Sequence, residues 1–475
     1  MKKLIFSTFA FMLLFAACKK DDKPAPSAVA DIISFSINKV NGTISGTEIM
    51  VVLPDTVQID SLVPAIVVSE KATVNPLTNV VKDFTAPVKY TVTAEDGLTK
   101  KTYTVSVLAL SDGIGSVKKI WSKNSNDPNW QMHNHAEPSL ALWGDNLVMV
   151  QLNSYGSTEY KLRAFNKNTG DALVGSTIKL TDASGNAVAG GPALTTDADH
   201  TTLISCNLAA VGADFSIWKW TSLSATPEKL LTWNNSMDNS FAAAAGDWAS
   251  AWVGRQLTVK GNLETDAYIY ATPSFSNTVL RWKVTNGAVT SQTPEKLLIS
   301  GMNNSNWEVN AGVAAFDNTA GSKLLVSGTL CGTMLVNSSH SVEWSLSRDF
   351  GENACEFLKF NGKDYFSTLQ LDAYAGATDD NVPGAWADIF NLAETAADPA
   401  NAWPASFKET TVNYSKVMQA DGTKIYFDNW NESADLIFQE ETVTGLIHTI
   451  RVYVLGTNCG VACYELSNLA AGSAK

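Results

Sequence analysis

The sequence predicts an all-β chain, a small β-sandwich followed by a β-propeller. Three observations carry this. Short alternating strands bounded by turn signals fill residues 29–110. A six-residue motif recurs 67 residues apart in the remainder. The last strand of the chain lacks a following partner, and an early strand matches the one it lacks.

The sandwich comes first. Ile32, Phe35 and Ile37 open it, and Ile49–Pro54 and Leu62–Val68 follow. Val88–Ala94 and Thr102–Val107 alternate apolar and polar residues, as a strand with one buried face does. Glu95-Asp96-Gly97 between them is a hairpin turn signal. Several short strands at such spacing form a sandwich. The run from Asp83 to Gly97 resembles the small Ig-like or cadherin-like domains that open many Bacteroidetes surface lipoproteins. That resemblance covers residues 29–110 and implies a spacer without a site of its own.

The propeller reading rests on repeats. Thr226-Pro227-Glu228-Lys229-Leu230-Leu231 recurs as Thr293-Pro294-Glu295-Lys296-Leu297-Leu298. Each copy follows a similar strand, Phe215–Trp220 or Thr278–Val284, across a short polar turn. Weaker copies are Tyr160–Asn166 with a strand near Ile178–Leu180, Thr333–Val336 with Ser341–Trp344, Asp388–Leu392, and finally Val461–Leu466. Repeated hairpins at this spacing are the mark of propeller blades with long loops. Val461–Leu466 has no partner after it, while Ser116–Ser122 looks like an outer strand without its hairpin. Pairing these two closes the ring over residues 113–475 and leaves no free edge to aggregate. The copies count six blades, or seven if Thr423–Arg451 hides another. The whole pattern resembles Bacteroidetes lipoproteins of unassigned function that pair an Ig-like domain with a propeller.

The first residues are an export signal. Lys2 and Lys3 precede the apolar run Leu4–Phe15, too short to span a bilayer, which takes about 20 residues. Small residues then stand before Cys18. This resembles the lipobox of bacterial lipoproteins, which implies a signal peptide over 1–17 and a lipidated Cys18. The charged run Lys19–Lys23 resembles the signal that sends Bacteroidetes lipoproteins to the outer face of the outer membrane, and residues 18–28 serve as the tether. The expected location is the outer membrane, lipid-anchored and surface-exposed.

Composition narrows function. Thirty-four basic and 47 acidic residues give a net charge of −13. Nucleic acid wants a basic footprint, so it is excluded as a partner. The expected partners are the membrane, through lipid, and a polysaccharide, with the protein a monomer. No cofactor and no metal is expected. Besides Cys18 the cysteines are Cys206, Cys331, Cys355, Cys459 and Cys463, an odd number that excludes a full disulfide framework. They read mostly as small buried hydrophobes, with one disulfide, such as 459–463, left open.

Ligands of propellers commonly sit where outer strands lead into the next blade. Three such connectors carry asparagines and a tryptophan: Asn126 and Trp130; Trp233, Asn234 and Asn235; Asn303, Asn304 and Trp307. Amides both donate to and accept from hydroxyls, and an aromatic ring offers a flat face to a sugar. The alternative is that Asn fills tight turns and Trp packs between blades. His133 and His135 share one side of an extended segment with Glu137, the best hint of acid/base chemistry. The function expected is non-catalytic binding of a glycan or glycoconjugate on the propeller face. A propeller hydrolase or lyase acting on polysaccharide is the rival, and a protein scaffold the third reading. No nucleophile elbow, phosphate loop or zinc-protease motif is present.

Overall fold

The computed structural model describes residues 25–124, 129–130, 139–152, 160–186, 188, 193–246, 249–346, 354–371, 383–401, 412–413, 416–418, 424–426, 434–456 and 460–470. The chain divides into two compact units, one through Ala109 and one from Leu110 to Ala471. No described helix is long and apolar enough to cross a membrane.

The first unit holds two sheets. One has the order Val40–Asn41, Ile32–Ile37, Pro64–Val68. The other runs Thr43–Ser45, Glu48–Pro54, Lys100–Leu110, Val88–Thr93, Thr73–Asn75. Alternation sets their faces: Ile49, Val51 and Leu53 are buried while Glu48 and Met50 are exposed. Phe35 of one sheet meets Tyr90 of the other edge-on, with centroids 5.5 Å apart. The turn after Val88–Thr93 is closed by the Gly97 N–H donating to the Ala94 carbonyl, and the Asp96 carboxylate accepts from the N–H groups of Leu98 and Thr99.

Six antiparallel sheets make up most of the second unit's described residues. Sheet one runs Leu140–Trp143, Asn146–Leu152, Tyr160–Asn166, Ala172–Thr177; sheet two runs Leu194–Thr196, Leu203–Cys206, Asp214–Trp220, Glu228–Asn234. Sheet three runs Leu257–Gly261, Ala267–Ala271, Thr278–Thr285, with both Ala288–Val289 and Glu295–Leu298 on the last of these. Sheet four runs Ala311–Ala315, Leu324–Gly328, Gly332–Val336, Val342–Ser345; sheet five runs Cys355–Phe360, Lys363–Leu371, Pro383–Asn391, Val412–Asn413. Sheet six runs Ala434–Phe438, Ile447–Gly456, Gly460–Ser467 and then Ser116–Asn124, so its outer strand comes from the beginning of the unit.

Both Pro-Glu-Lys-Leu-Leu copies lie on outer strands, paired with Asp214–Trp220 and Thr278–Thr285. One detail differs from the sequence reading. The outer strand of sheet one is Ala172–Thr177, not the stretch near Ile178–Leu180. The tight turn in which the Gly170 N–H donates to the Asn166 carbonyl lets the chain return sooner. Within the stretch Thr423–Arg451, Lys424–Tyr426 pairs with Lys416–Met418 in a separate two-stranded sheet, while Ala434–Phe438, Thr442–Thr444 and much of Ile447–Gly456 join sheet six.

The inner strands of the six sheets lie side by side in chain order, and that of sheet six adjoins that of sheet one. A buried apolar cluster fills each seam between neighbouring sheets. This is an all-β, propeller-like fold. The described cysteines Cys206, Cys331, Cys355 and Cys463 are free and buried. Burial pushes their thiols up, Cys331 and Cys463 to about 12, which leaves them protonated and inert. Cys459 lies outside the described residues.

Candidate functional site

The six inner strands border a central channel. Strand alternation decides what faces it. Leu257 and Val259 are buried, whereas Thr258 and Lys260 between and beyond them are partly exposed. In the same way Thr195, Glu356, Asp435 and Ile437 are partly exposed on their strands. Gly312 borders the narrow middle of the channel, where the inner strands crowd. The Thr258 hydroxyl donates to the Val313 carbonyl at 2.8 Å, pinning two neighbouring inner strands together.

One end of the channel widens into a cavity of about 440 Å³, bordered by Thr195, His200, Lys260, Glu356 and Gln439. His200 sits in a left-handed turn at φ +55. Its Nδ1 lies 3.0 Å from the Thr196 hydroxyl, and burial lowers its pKa, favouring the neutral ring. Burial pushes Glu356 up to about 7, against the partial offset of the Lys260 charge. Asp435 is pushed well above the usual carboxylate range, first by burial and further by Glu356. Its two oxygens accept from the N–H groups of Leu140 at 2.8 Å and Leu436 at 2.9 Å, so it also ties the last inner strand to the first. The channel thus holds two desolvated carboxylates, one titrating near neutrality, with a lysine and a neutral imidazole. Such groups can bind hydroxyls, and Glu356 can carry a proton at neutral pH. The sequence reading missed Glu356 and Asp435. The available signal was an acidic residue inside a short apolar inner strand.

A second cavity, about 940 Å³, lies between sheets four and five. Phe316, Leu335, Trp344 and Leu392 give it apolar walls, with Lys323 and Glu394 among its charged groups.

The connector residues fall into two groups. The three candidate tryptophans, Trp130, Trp233 and Trp307, are buried and seal seams, so they do not offer the open ring face expected of them. Trp130 stacks on Phe165 with centroids 3.7 Å apart and donates its indole N–H to the Gly170 carbonyl. Trp307 donates to the Pro273 carbonyl at 2.7 Å. Trp233 packs edge-on against Trp282 of sheet three. The physical reason is area: a large ring fills the wedge between two diverging sheets better than smaller side chains. Asn235 is likewise buried. Its amide donates to the carbonyls of Ala209 and Ala251, and its oxygen accepts from the Met237 N–H. Asn234, Asn303 and Asn304 are exposed. Asn234 donates to the Gly212 carbonyl, Asn303 to the Ser345 hydroxyl and Asn304 to the Leu330 carbonyl. Cys18, Asn126, His133 and His135 lie outside the described residues. Among those described, no group of His, Cys, Asp or Glu has the arrangement of a metal site.

Three other polar side chains were missed altogether. Gln256, Ser274 and Asn310 are 6%, 1% and 2% exposed. Among the described residues nothing pairs with the Gln256 Nε2, the Ser274 Oγ or either polar atom of the Asn310 amide. Each such orphaned group costs about 1–3 kcal/mol.

The first unit matches the family model "SGBP, N-terminal" over residues 32–107. No curated protein matches the chain. Among solved structures, a DUF4623 family protein from Bacteroides eggerthii aligns at 13% identity over 92% of this chain and 98% of that one, with a TM-score of 0.51, a likeness of fold. A Dyadobacter fermentans protein of unknown function aligns at 10% identity over 74% and 98% of the two chains, TM-score 0.38. A GH43 β-xylosidase/α-arabinofuranosidase from a compost metagenome aligns at 10% over 74% and 95%, TM-score 0.27. The model "Domain of unknown function (DUF8500)" matches residues 129–377, more than half of the chain, and the chain belongs to that family.

Proposed function

We propose that this protein is a cell-surface glycan-binding lipoprotein of a Bacteroidetes bacterium. The observation that carries this reading is the match of residues 32–107 to the N-terminal domain of surface glycan-binding proteins. In this reading residues 1–17 are the signal peptide, lipid on Cys18 anchors the tether 18–28, and an Ig-like spacer follows over 29–110. The six sheets are six blades of a propeller over 113–475, which acts as a monomer and takes a polysaccharide. The exposed amides of Asn234, Asn303 and Asn304 suit a hydroxylated ligand, because each carboxamide both gives and takes hydrogen bonds.

Native affinity electrophoresis of the mature chain through polysaccharide gels tests it. Retention by at least one polysaccharide is expected, and loss of the amides in Asn303→Ala/Asn304→Ala should weaken it severalfold. A chain retained by no polysaccharide refutes the binding reading.

One observation favours a hydrolase as the second reading. Glu356 and Asp435 share the channel, and burial raises both carboxyl groups, as acid catalysis on a glycosidic bond requires of one of them. A polysaccharide-degradation screen separates the two: release of oligosaccharides that Glu356→Gln abolishes would establish the enzyme.

A further inference from the structure

We infer that Gln256, Ser274 and Asn310 form a subsite for a neutral, hydroxyl-rich sugar unit at the head of the inner strands of sheets three and four. The inference rests on the glycan-binding reading and gives it a place and a charge class.

The three residues belong together. Gln256 immediately precedes the inner strand Leu257–Gly261, and Asn310 immediately precedes the inner strand Ala311–Ala315. Leu257 pairs with Ala271, so Gln256 stands at the level of Thr272. The Thr272 hydroxyl donates to the carbonyl of Ala311, the residue after Asn310. Ser274 follows two residues later, and its N–H donates to the carbonyl of the partly exposed Trp252. The loop and the connector are fastened to each other. The Phe275 N–H donates to the Glu308 carbonyl and the Trp307 N–H to the Ser276 carbonyl. Phe275 and Glu308 are both held at positive φ, +49 and +67, by this pairing.

Gln256, Ser274 and Asn310 are neutral, nine-tenths buried and carry polar atoms unpartnered among the described residues, whereas the neighbouring Thr272 hydroxyl is satisfied. Buried amides and hydroxyls are otherwise satisfied in folded proteins, and an exception calls for an explanation. At the corresponding position, just before the inner strand, sheets two and five carry Ala193 and Ala354. Polar groups here are therefore not demanded by the architecture. Gln256 also borders the narrow part of the channel, whose space of about 40 Å³ admits a hydroxyl. The chain neighbours Arg255 and Glu308 are partly exposed, so the site lies one residue below the surface.

The chemistry selects the ligand. Asn310 has a free donor and a free acceptor, Gln256 a free donor, and Ser274 a hydroxyl that serves as either. A sugar hydroxyl both donates and accepts, and satisfies this set. An anion accepts only, which leaves the acceptor oxygen of the Asn310 amide without a donor, and the chain's net charge of −13 disfavours it further. Neutral glycans fit and polyanionic ones do not.

The test uses the full mature chain and the variant Gln256→Met/Asn310→Leu, whose side chains keep shape but lose the polar atoms. Each is run through native gels of neutral polysaccharides (galactomannan, xyloglucan, mixed-linkage β-glucan) and anionic ones (polygalacturonate, heparin). Each is also melted without polysaccharide. The expected result is retention of the wild type by a neutral polysaccharide, at least a tenfold loss of it in the variant, and an equal or higher Tm for the variant. Removing an orphaned polar group relieves the free protein while it disarms the site. Undiminished retention of the variant overturns the subsite and leaves glycan binding standing. A Tm lowered by several degrees overturns it too, because the amides would then be satisfied in the free protein. Retention by anionic polysaccharides alone overturns the charge class. Retention by none refutes the reading on which the inference rests.

Discussion

Glu356 is the residue whose chemistry is most exposed to test. Its ordinary pKa is near 4.5, and burial raises it to about 7 in the folded chain. Between those two values the folded state still holds a proton that the unfolded state has released. Stability from this group is therefore full below about pH 4.5, falls as pH rises through the window, and levels off above 7. Asp435 shifts in the same direction and adds to the same slope. Glu356→Gln should remove its share. The variant is expected to match the wild type near pH 4.5 and to exceed it at pH 8 by on the order of 1–3 kcal/mol, after discounting for partial exposure. Denaturant titrations at the two pH values measure this; a constant difference between them would mean that Glu356 is solvated in the channel. A backbone residue gives a second handle. Gly254 has φ +115, and an added Cβ would stand 2.2 Å from the Asn207 carbonyl oxygen. Gly254→Ala is expected to destabilise by at least about 2 kcal/mol, read as a lowered Tm.

At the scale of elements, the seams explain what the repeats meant. Trp130 and Trp307 stand in connectors and Trp233 near the end of the outer strand Glu228–Asn234, yet each fills a seam with a large ring. The sequence shows the shared pattern but not which side of the ring is covered. An Asn-rich, Trp-bearing connector reads equally well as a ligand loop or as a turn with a packed anchor, and burial alone separates the two. The closing strand is a sharper case. Ser116–Asn124 pairs along Gly460–Ser467, and Trp121 donates its indole N–H to the Lys167 carbonyl of sheet one. Gly170 lies against the Trp121 ring, where φ +71 and a Cβ 2.7 Å from the ring leave room for glycine only. Deleting residues 116–124 would strip Gly460–Ser467 of its partner and expose a long apolar edge. The expected outcome is aggregate at the void volume in size-exclusion chromatography. A soluble monomer would show that the strand is dispensable.

Across the whole molecule, local pattern and long-range placement divide cleanly. Alternation in Val88–Thr93 and the Pro-Glu-Lys-Leu-Leu repeat were enough to reveal an all-β chain with recurring hairpins, because period two and turn chemistry act between near neighbours. The unpartnered pattern of Val461–Leu466 was legible for the same reason, since a strand without a return announces itself locally. Tertiary structure alone decided which side chains meet. Glu356 and Asp435 come from different sheets, as do Gln256 and Asn310, and only convergence of the inner strands puts them in one channel or at one head. Their pKa shifts and missing partners are products of desolvation, which no spacing encodes. Tertiary structure also turned the connector tryptophans inward, because the largest gain for a big ring is the apolar area it buries in a seam.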